Sequence, residues 1–216
     1  MAIITPTGII TTILNVVAES LLIPVLILLL VFLLLVLIQI GSLIAEYSNR
    51  SKISQKELDG IINNIANTNS SDQIAYIINH SNLNQQYKDI LVKIANTAHL
   101  GKNTRESYVR EIIEDQEYTL AQTVRKTDII SRVSSGCGLL GTLIPLGPGL
   151  ASLGSGDVAT LSAQLIIAFN TTTVGLSISL VSYVISKLRK SWYKKDIGLI
   201  YTISDAIMEV EYAKKE

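Results

Sequence analysis

The stretch Leu21–Ile40 reads LLIPVLILLLVFLLLVLIQI, and nothing else in the chain restricts its fold as strongly. About 20 apolar residues at about 1.5 Å each cross a hydrocarbon core of about 30 Å. Only Pro24 and Gln39 interrupt the run. No Lys or Arg precedes it, it is longer than the apolar region of a cleavable leader, and no A-x-A site follows, so a retained membrane span is expected. Ahead of it, Ile9, Ile10, Ile13, Leu14, Val16 and Val17 recur at helical spacing. They predict an amphipathic helix over 1–20 lying in the outer interface, or a plain extension of the span.

The placement of charge divides the remainder. Residues 1–45 carry Glu19 alone and residues 133–186 carry Asp157 alone, although 17% of the chain is charged and 48% is hydrophobic. Two further uncharged stretches, 133–154 and 159–186, are thereby expected as membrane helices joined by an outer hairpin at 155–158. The first span is taken as 21–45. Residues 46–132 are polar, with apolar side chains three and four apart, and predict a helical region in water. Within it Ser54 and Glu57 have capping-box spacing, and helices are expected over Asp72–Asn79, Asn84–Thr97 and from Asn103 onward. The last should run into the second span through a face of Tyr108, Ile112, Ile113, Leu120 and Val124. Residues 187–216 carry Ile200, Ile203, Ile207 and Val210 at the same period, and predict a helical tail that continues the third span.

The fold class that follows is all-α: an integral membrane protein with three transmembrane helices whose long helices extend into a helical region in the cytoplasm. Arg50, Lys52 and Lys56 follow the first span, Arg125, Lys126 and Arg132 precede the second, and Lys187, Arg189, Lys190, Lys194 and Lys195 follow the third. Basic residues collect on the cytoplasmic side, so the expected orientation is N-terminus outside and C-terminus inside.

Composition also narrows the function. The 18 Lys and Arg cancel the 18 Asp and Glu, so no nucleic-acid partner is expected. Cys137 is the lone cysteine, and His80 and His99 are the lone histidines. They supply no cluster for a metal, and no HExxH or phosphate-cradling glycine loop occurs. No cofactor, metal or enzymatic activity is expected. A secondary transporter would carry inverted repeats, and none is found.

Chemistry is instead carried by small and hydroxylated residues inside the spans. At about 100° per residue, Gln164, Ala168, Thr171, Thr172, Gly175, Ser179 and Ser182 share one stripe of the third span. Ser135, Gly138, Thr142, Pro145 and Gly149 form a comparable stripe on the second. Two readings stand open. Such faces permit close helix packing, with hydroxyls bonded back to their own carbonyls. They also suit a wet path where hydroxyl oxygens hold a cation or a water chain. Neither Ser nor Thr titrates in the membrane, so proton transport would require a carboxylate from another chain. Asp157 is expected to cap the third span, with lining of an outer mouth as the less common use.

The segments Gly138-Leu139-Leu140-Gly141-Thr142 and Ala168-Phe169-Asn170-Thr171-Thr172-Thr173-Val174-Gly175-Leu176, with this order of elements, resemble the MotA/TolQ/ExbB proton-channel family. The resemblance is strong over about Arg132–Lys195 and architectural elsewhere. It implies a homo-oligomer of five copies around two single-span partners of the ExbD/TolR/MotB type, each with an intramembrane aspartate, in the cytoplasmic membrane. It also implies that Thr142 and Thr172 line the ion path with Thr171 beside them. Ser135, Gly138, Pro145, Gln164, Ala168, Gly175 and Ser179 would form the stripe facing the pore or partner. Where biopolymer-transport members carry a glutamate in the third span, this chain has Ile167. The segment Leu143–Pro148, LIPLGP, is more similar to archaeal members. The function implied is a stator-like ion-channel subunit that converts ion-motive force into work or energised transport. The alternative from another class is a non-conducting membrane scaffold that recruits cytoplasmic proteins.

Overall fold

The computed structural model describes residues 6–50, 53–68 and 70–212, with side chains described from 8 to 210 within those ranges. Lys52 and the first residues of the expected interfacial segment lie outside them. Among the described residues all regular structure is helical: α1 Pro6–Ser20, α2 Leu22–Asn49, α3 Gln55–Ala66, α4 Ser71–His80, α5 Gln85–Ala95, a 3₁₀ turn at Asn96–His99, α6 Lys102–Gly154 and α7 Val158–Tyr212. Three stretches are long and apolar enough to cross a membrane: Gly8–Asn49, Lys102–Gly154 and Val158–Val210. The chain is thus an all-α protein with three candidate membrane helices, and α6 and α7 both run far beyond the uncharged segments that mark them.

Two compact units are distinguished. One comprises residues up to Leu43 together with Arg125–Lys187. In it α2 lays a stripe of Val25, Leu29 and Val36, flanked by Phe32 and Ile40, against Ile130 and Cys137 of α6 and Ile178 of α7. The spacing of about one or two helical turns keeps these side chains on one face. The opposite face stays uncovered, with Ile23 at 68% and Ile38 at 69% exposure. An apolar face of that extent on a helix of spanning length is suited to lipid. The described apolar side chains of α1 are likewise exposed.

The second unit comprises Ile44–Val124 and the residues from Leu188 on. Its core is one cluster of apolar side chains drawn from several helices. Leu58, Ile61 and Ile65 of α3, Ile74 and Ile78 of α4, Leu91 and Ile94 of α5, Val109, Ile112 and Ile113 of α6, and Ile197, Ile200, Ile203 and Ile207 of α7 are buried together. Capping agrees with local sequence: the Ser54 N–H donates to Glu57 Oε2 at 2.8 Å, and Asn84 Oδ1 accepts from the Gln86 N–H at 3.2 Å. On α6 the core position falls to Val109. Tyr108, expected on that face, stands at its edge with the Lys93 ammonium 5.7 Å from its ring.

Polar side chains tie the end of α2 to α7 within this unit. Arg50 pairs with Asp196, donates to the Trp192 carbonyl at 3.0 Å and stacks 5.1 Å from the Trp192 ring. Arg189 Nε donates to Glu46 Oε2 at 3.0 Å, and the Tyr87 hydroxyl donates to Asp196 Oδ2 at 2.9 Å. Burial first, then the neighbouring Asp196, pushes the Tyr87 phenol well above its ordinary value of 10.0; burial and Glu46 do the same to Tyr193. Their raised folded-state values mean that this contribution to stability is whole below pH 10.0 and is lost as the pH rises above it. The expected outcome is a thermal midpoint that falls above pH 10.0 less steeply in a Tyr87→Phe/Tyr193→Phe chain than in the native one, measured by circular dichroism.

Candidate functional site

The second and third candidate spans form a helical hairpin, and its turn is built from local rules. Asp157 N–H donates to the Ser152 carbonyl at 3.0 Å and Gly156 N–H to the Leu153 carbonyl at 3.0 Å, the paired bonds of a Schellman ending. Gly156 occupies the left-handed position, φ 80°, which a Cβ would strain. Asp157 then caps α7: its Oδ1 accepts from the Thr160 N–H at 3.0 Å and its Oδ2 from the Thr160 hydroxyl. Those bonds hold the exposed carboxyl below the usual carboxylate range.

Below the turn the helices meet along glycine. A Cβ added at Gly175 would lie 2.7 Å from Gly138 Cα and 2.8 Å from the Ser134 carbonyl oxygen. One added at Gly141 would lie 2.7 Å from Thr171 Cβ, and one at Gly149 would lie 3.3 Å from Gln164 Cβ. The backbones approach as closely as they do because no side chain separates them. That proximity lets hydroxyls bond across the seam. Thr171 Oγ1 donates to the Gly141 carbonyl (2.8 Å), with Ile167 and Ala168 carbonyls each at 2.9 Å, and Thr172 Oγ1 donates to the Gly138 carbonyl at 3.2 Å. Further along, Ser131 Oγ donates to the Ser179 carbonyl at 2.9 Å, and Ser186 donates to Asp128.

The sequence-derived residues divide by exposure. Gly138, Pro145, Ala168, Thr171 and Gly175 are buried, with Thr171 at 5% exposure. Ser135, Thr142, Gln164, Thr172 and Ser179 are half-buried. Thr142 Oγ1 donates to the carbonyl of Leu139 at 2.6 Å, the residue next to Gly138, whose carbonyl receives Thr172. A threonine hydroxyl has one proton and two lone pairs. Thr142 and Thr172 have given that proton to carbonyls, so each oxygen faces its surroundings as an acceptor for a cation, a water or a protonated carboxyl. Among the described residues no three His, Cys, Asp or Glu side chains converge as metal ligands.

The seam also includes residues outside the expected stripes. Ser134 and Ser186 are essentially fully buried, and Asp128 meets Ser186. Ser186 and Asp128 continue the period of Ser182 and Ser135, whereas Ser134 lies beside Ser135 and off that period. Asp128 falls outside the expected span, whose limit is set at Arg132, although that exposed side chain leaves the seam face free to continue.

The chain is thus an all-helical protein with three candidate membrane helices, whose α6–α7 hairpin is sealed by glycine and threonine. The sequence model of the MotA/TolQ/ExbB proton channel family matches residues 79–200, more than half of the chain, and the chain belongs to that family. It is a membrane subunit of the proton-channel type. No curated protein matches it.

Glycine substitutions should rank by the space each Cβ meets. Gly175→Ala, which collides with backbone, is expected to cost about 1–3 kcal/mol as an overpacked contact. Gly138→Ala, whose nearest neighbour is at 3.3 Å, should cost less. Gly136→Ala, with nothing within 4 Å, should be neutral or stabilising through helix propensity. Unfolding in mixed detergent micelles measures the order, and equal effects at all three positions would contradict the seam.

Proposed function

We propose that this chain is the ring-forming subunit of an ion-driven, stator-like complex in the cell membrane. Five copies would surround two single-span ExbD/TolR/MotB-like partners whose intramembrane aspartates carry protons. It would thus move ions rather than transform a substrate. The basic residues after α2's apolar run and at both ends of the hairpin favour an N-out, C-in orientation, with 46–132 and the tail in the cytoplasm.

The observation that carries this reading is the chemistry of Thr142 and Thr172. Both are half-buried, and both have hydroxyl protons engaged on neighbouring carbonyls. A partner's aspartic acid, once protonated, needs an acceptor in hydrocarbon, and such an oxygen supplies one without accepting charge itself. After release of the proton the carboxylate would be poorly accommodated there, which favours its movement to a wetter position. Each proton crossing 100 mV delivers about 2.3 kcal/mol, so a few coupled protons suffice for conformational work.

A scaffold reading draws on a different observation. Gly138, Thr171 and Gly175 are occupied by packing within the chain itself, and a scaffold would require nothing more of them. The two readings separate on isosteric variants. Thr172→Val and Thr142→Val should leave the oligomer intact by light scattering while lowering ion flux at least about tenfold in vesicles containing the partner, the scale of one lost hydrogen bond to an ionising group. Undiminished flux in both variants would assign the hydroxyls to structure and favour the scaffold. Thr171→Val should instead destabilise the hairpin by about 1 kcal/mol, since its bond to Gly141 is internal.

A further inference from the structure

We propose that the cleft between the end of α2 and residues 191–199 of α7 binds the headgroup of an anionic phospholipid. The cleft measures about 200 Å³ and is lined by Tyr47, Arg50, Ile53, Trp192, Lys195 and Leu199 among others. That volume is below the range of about 300–1,000 Å³ typical of small-molecule pockets and suits a phosphodiester with its glycerol rather than an acyl chain.

Its level along α2 is that of a membrane surface. The apolar run ends at Ile44 on the same unbroken helix, so Tyr47 stands about 4.5 Å further along the axis, and Arg50 directly follows the helix's last residue, Asn49. The headgroup layer occupies about 5–7 Å on each side of the hydrocarbon. Tyr47 and Trp192, with ring centroids 5.9 Å apart, are the residue types that settle at that depth.

The polar groups are arranged for an anion. Arg50 is held flat by Asp196, the Trp192 carbonyl and the Trp192 ring. Both of its hydrogen bonds to described residues leave from Nη2, so Nε and Nη1 retain their donors. Asp196 is occupied by Arg50 and the Tyr87 hydroxyl. Lys195 is exposed and, among the described residues, has no ion-pair partner, which gives the lining a positive balance. Ile53 and Leu199 provide an apolar wall for the glycerol and the first methylenes. A fixed guanidinium, a mobile ammonium and an aromatic floor beside a lipid-facing helix form a phosphate site at a bilayer surface.

Trp192 is the single tryptophan in the chain, so its emission reports the cleft directly. The intact protein in uncharged detergent would be titrated with short-chain phosphatidylglycerol, phosphatidylcholine and inorganic phosphate. The expected result is a saturable change in Trp192 emission with phosphatidylglycerol, at lower concentration than with phosphatidylcholine. Lys195→Gln, at an exposed position, should weaken phosphatidylglycerol binding about fivefold, the value of one basic residue at an anionic surface. Equal responses to the two lipids, or an unchanged titration in Lys195→Gln, would overturn the proposal. A response to inorganic phosphate matching that to phosphatidylglycerol would also overturn it, by making the cleft a free-anion site.

Discussion

The backbone contact between Gly138 and Gly175 is the constraint on which the hairpin of this protein rests. Lipid gives no hydrophobic reward for bringing two helices together, so association in the membrane depends on contact area and on polar groups that find partners. Both requirements are met only when the backbones approach. With any side chain at Gly175 the helices separate, and with separation the Thr171 and Thr172 hydroxyls lose the carbonyls of Gly141 and Gly138. Hydrogen bonds across the seam are therefore a consequence of two missing Cβ atoms.

The residues from Ile44 to Val124 and from Leu188 onward pack through large side chains instead of glycine. Their core is mainly Ile and Leu drawn from five α-helices, large apolar side chains buried against one another. α6 and α7 contribute to both units and change composition along their length. In α7, Ala168, Thr171 and Gly175 give way to Ile197, Ile200, Ile203 and Ile207 on the same helical period. The paired charges of Glu46, Arg50, Arg189 and Asp196 stand where the apolar run of α2 has ended, and fasten its last turns to α7. Partly buried pairs of this sort are costly to break on one side only, because the remaining charge keeps its desolvation penalty.

The same economy of side chains underlies the function proposed above. Each threonine at the edge of the seam satisfies its own donor locally and offers only lone pairs outward, while the spans lack an acid of their own at mid-membrane. In the function proposed here, a chain so built would complement a protonated carboxyl brought by a partner. Small residues along the hairpin provide few knobs to lock a neighbouring helix in one register, which is compatible with movement during each ionisation cycle.

Local order was readable from local sequence. The run Leu21–Ile40, the charge gaps, the Ser54–Glu57 spacing and the Asp157 cap all depend on residues within a few positions of one another, and each corresponds to a helix, a terminus or a turn. The periodic stripes likewise placed Gly138 on one face of the second span and Thr171 and Gly175 on one face of the third. Which hydroxyl is sealed inside, Thr171, and which stays at the edge, Thr172, was decided by the rotation of α7 against α6 and by the few tenths of an ångström that two glycines permit. Arg50 and Asp196 lie 146 residues apart, and no helical period relates them. Sequence alone determined the helices and the faces they would bury, because the helical repeat is a property of neighbouring residues. Tertiary structure alone decided which residues meet, because register, rotation and approach are set by packing across the seam.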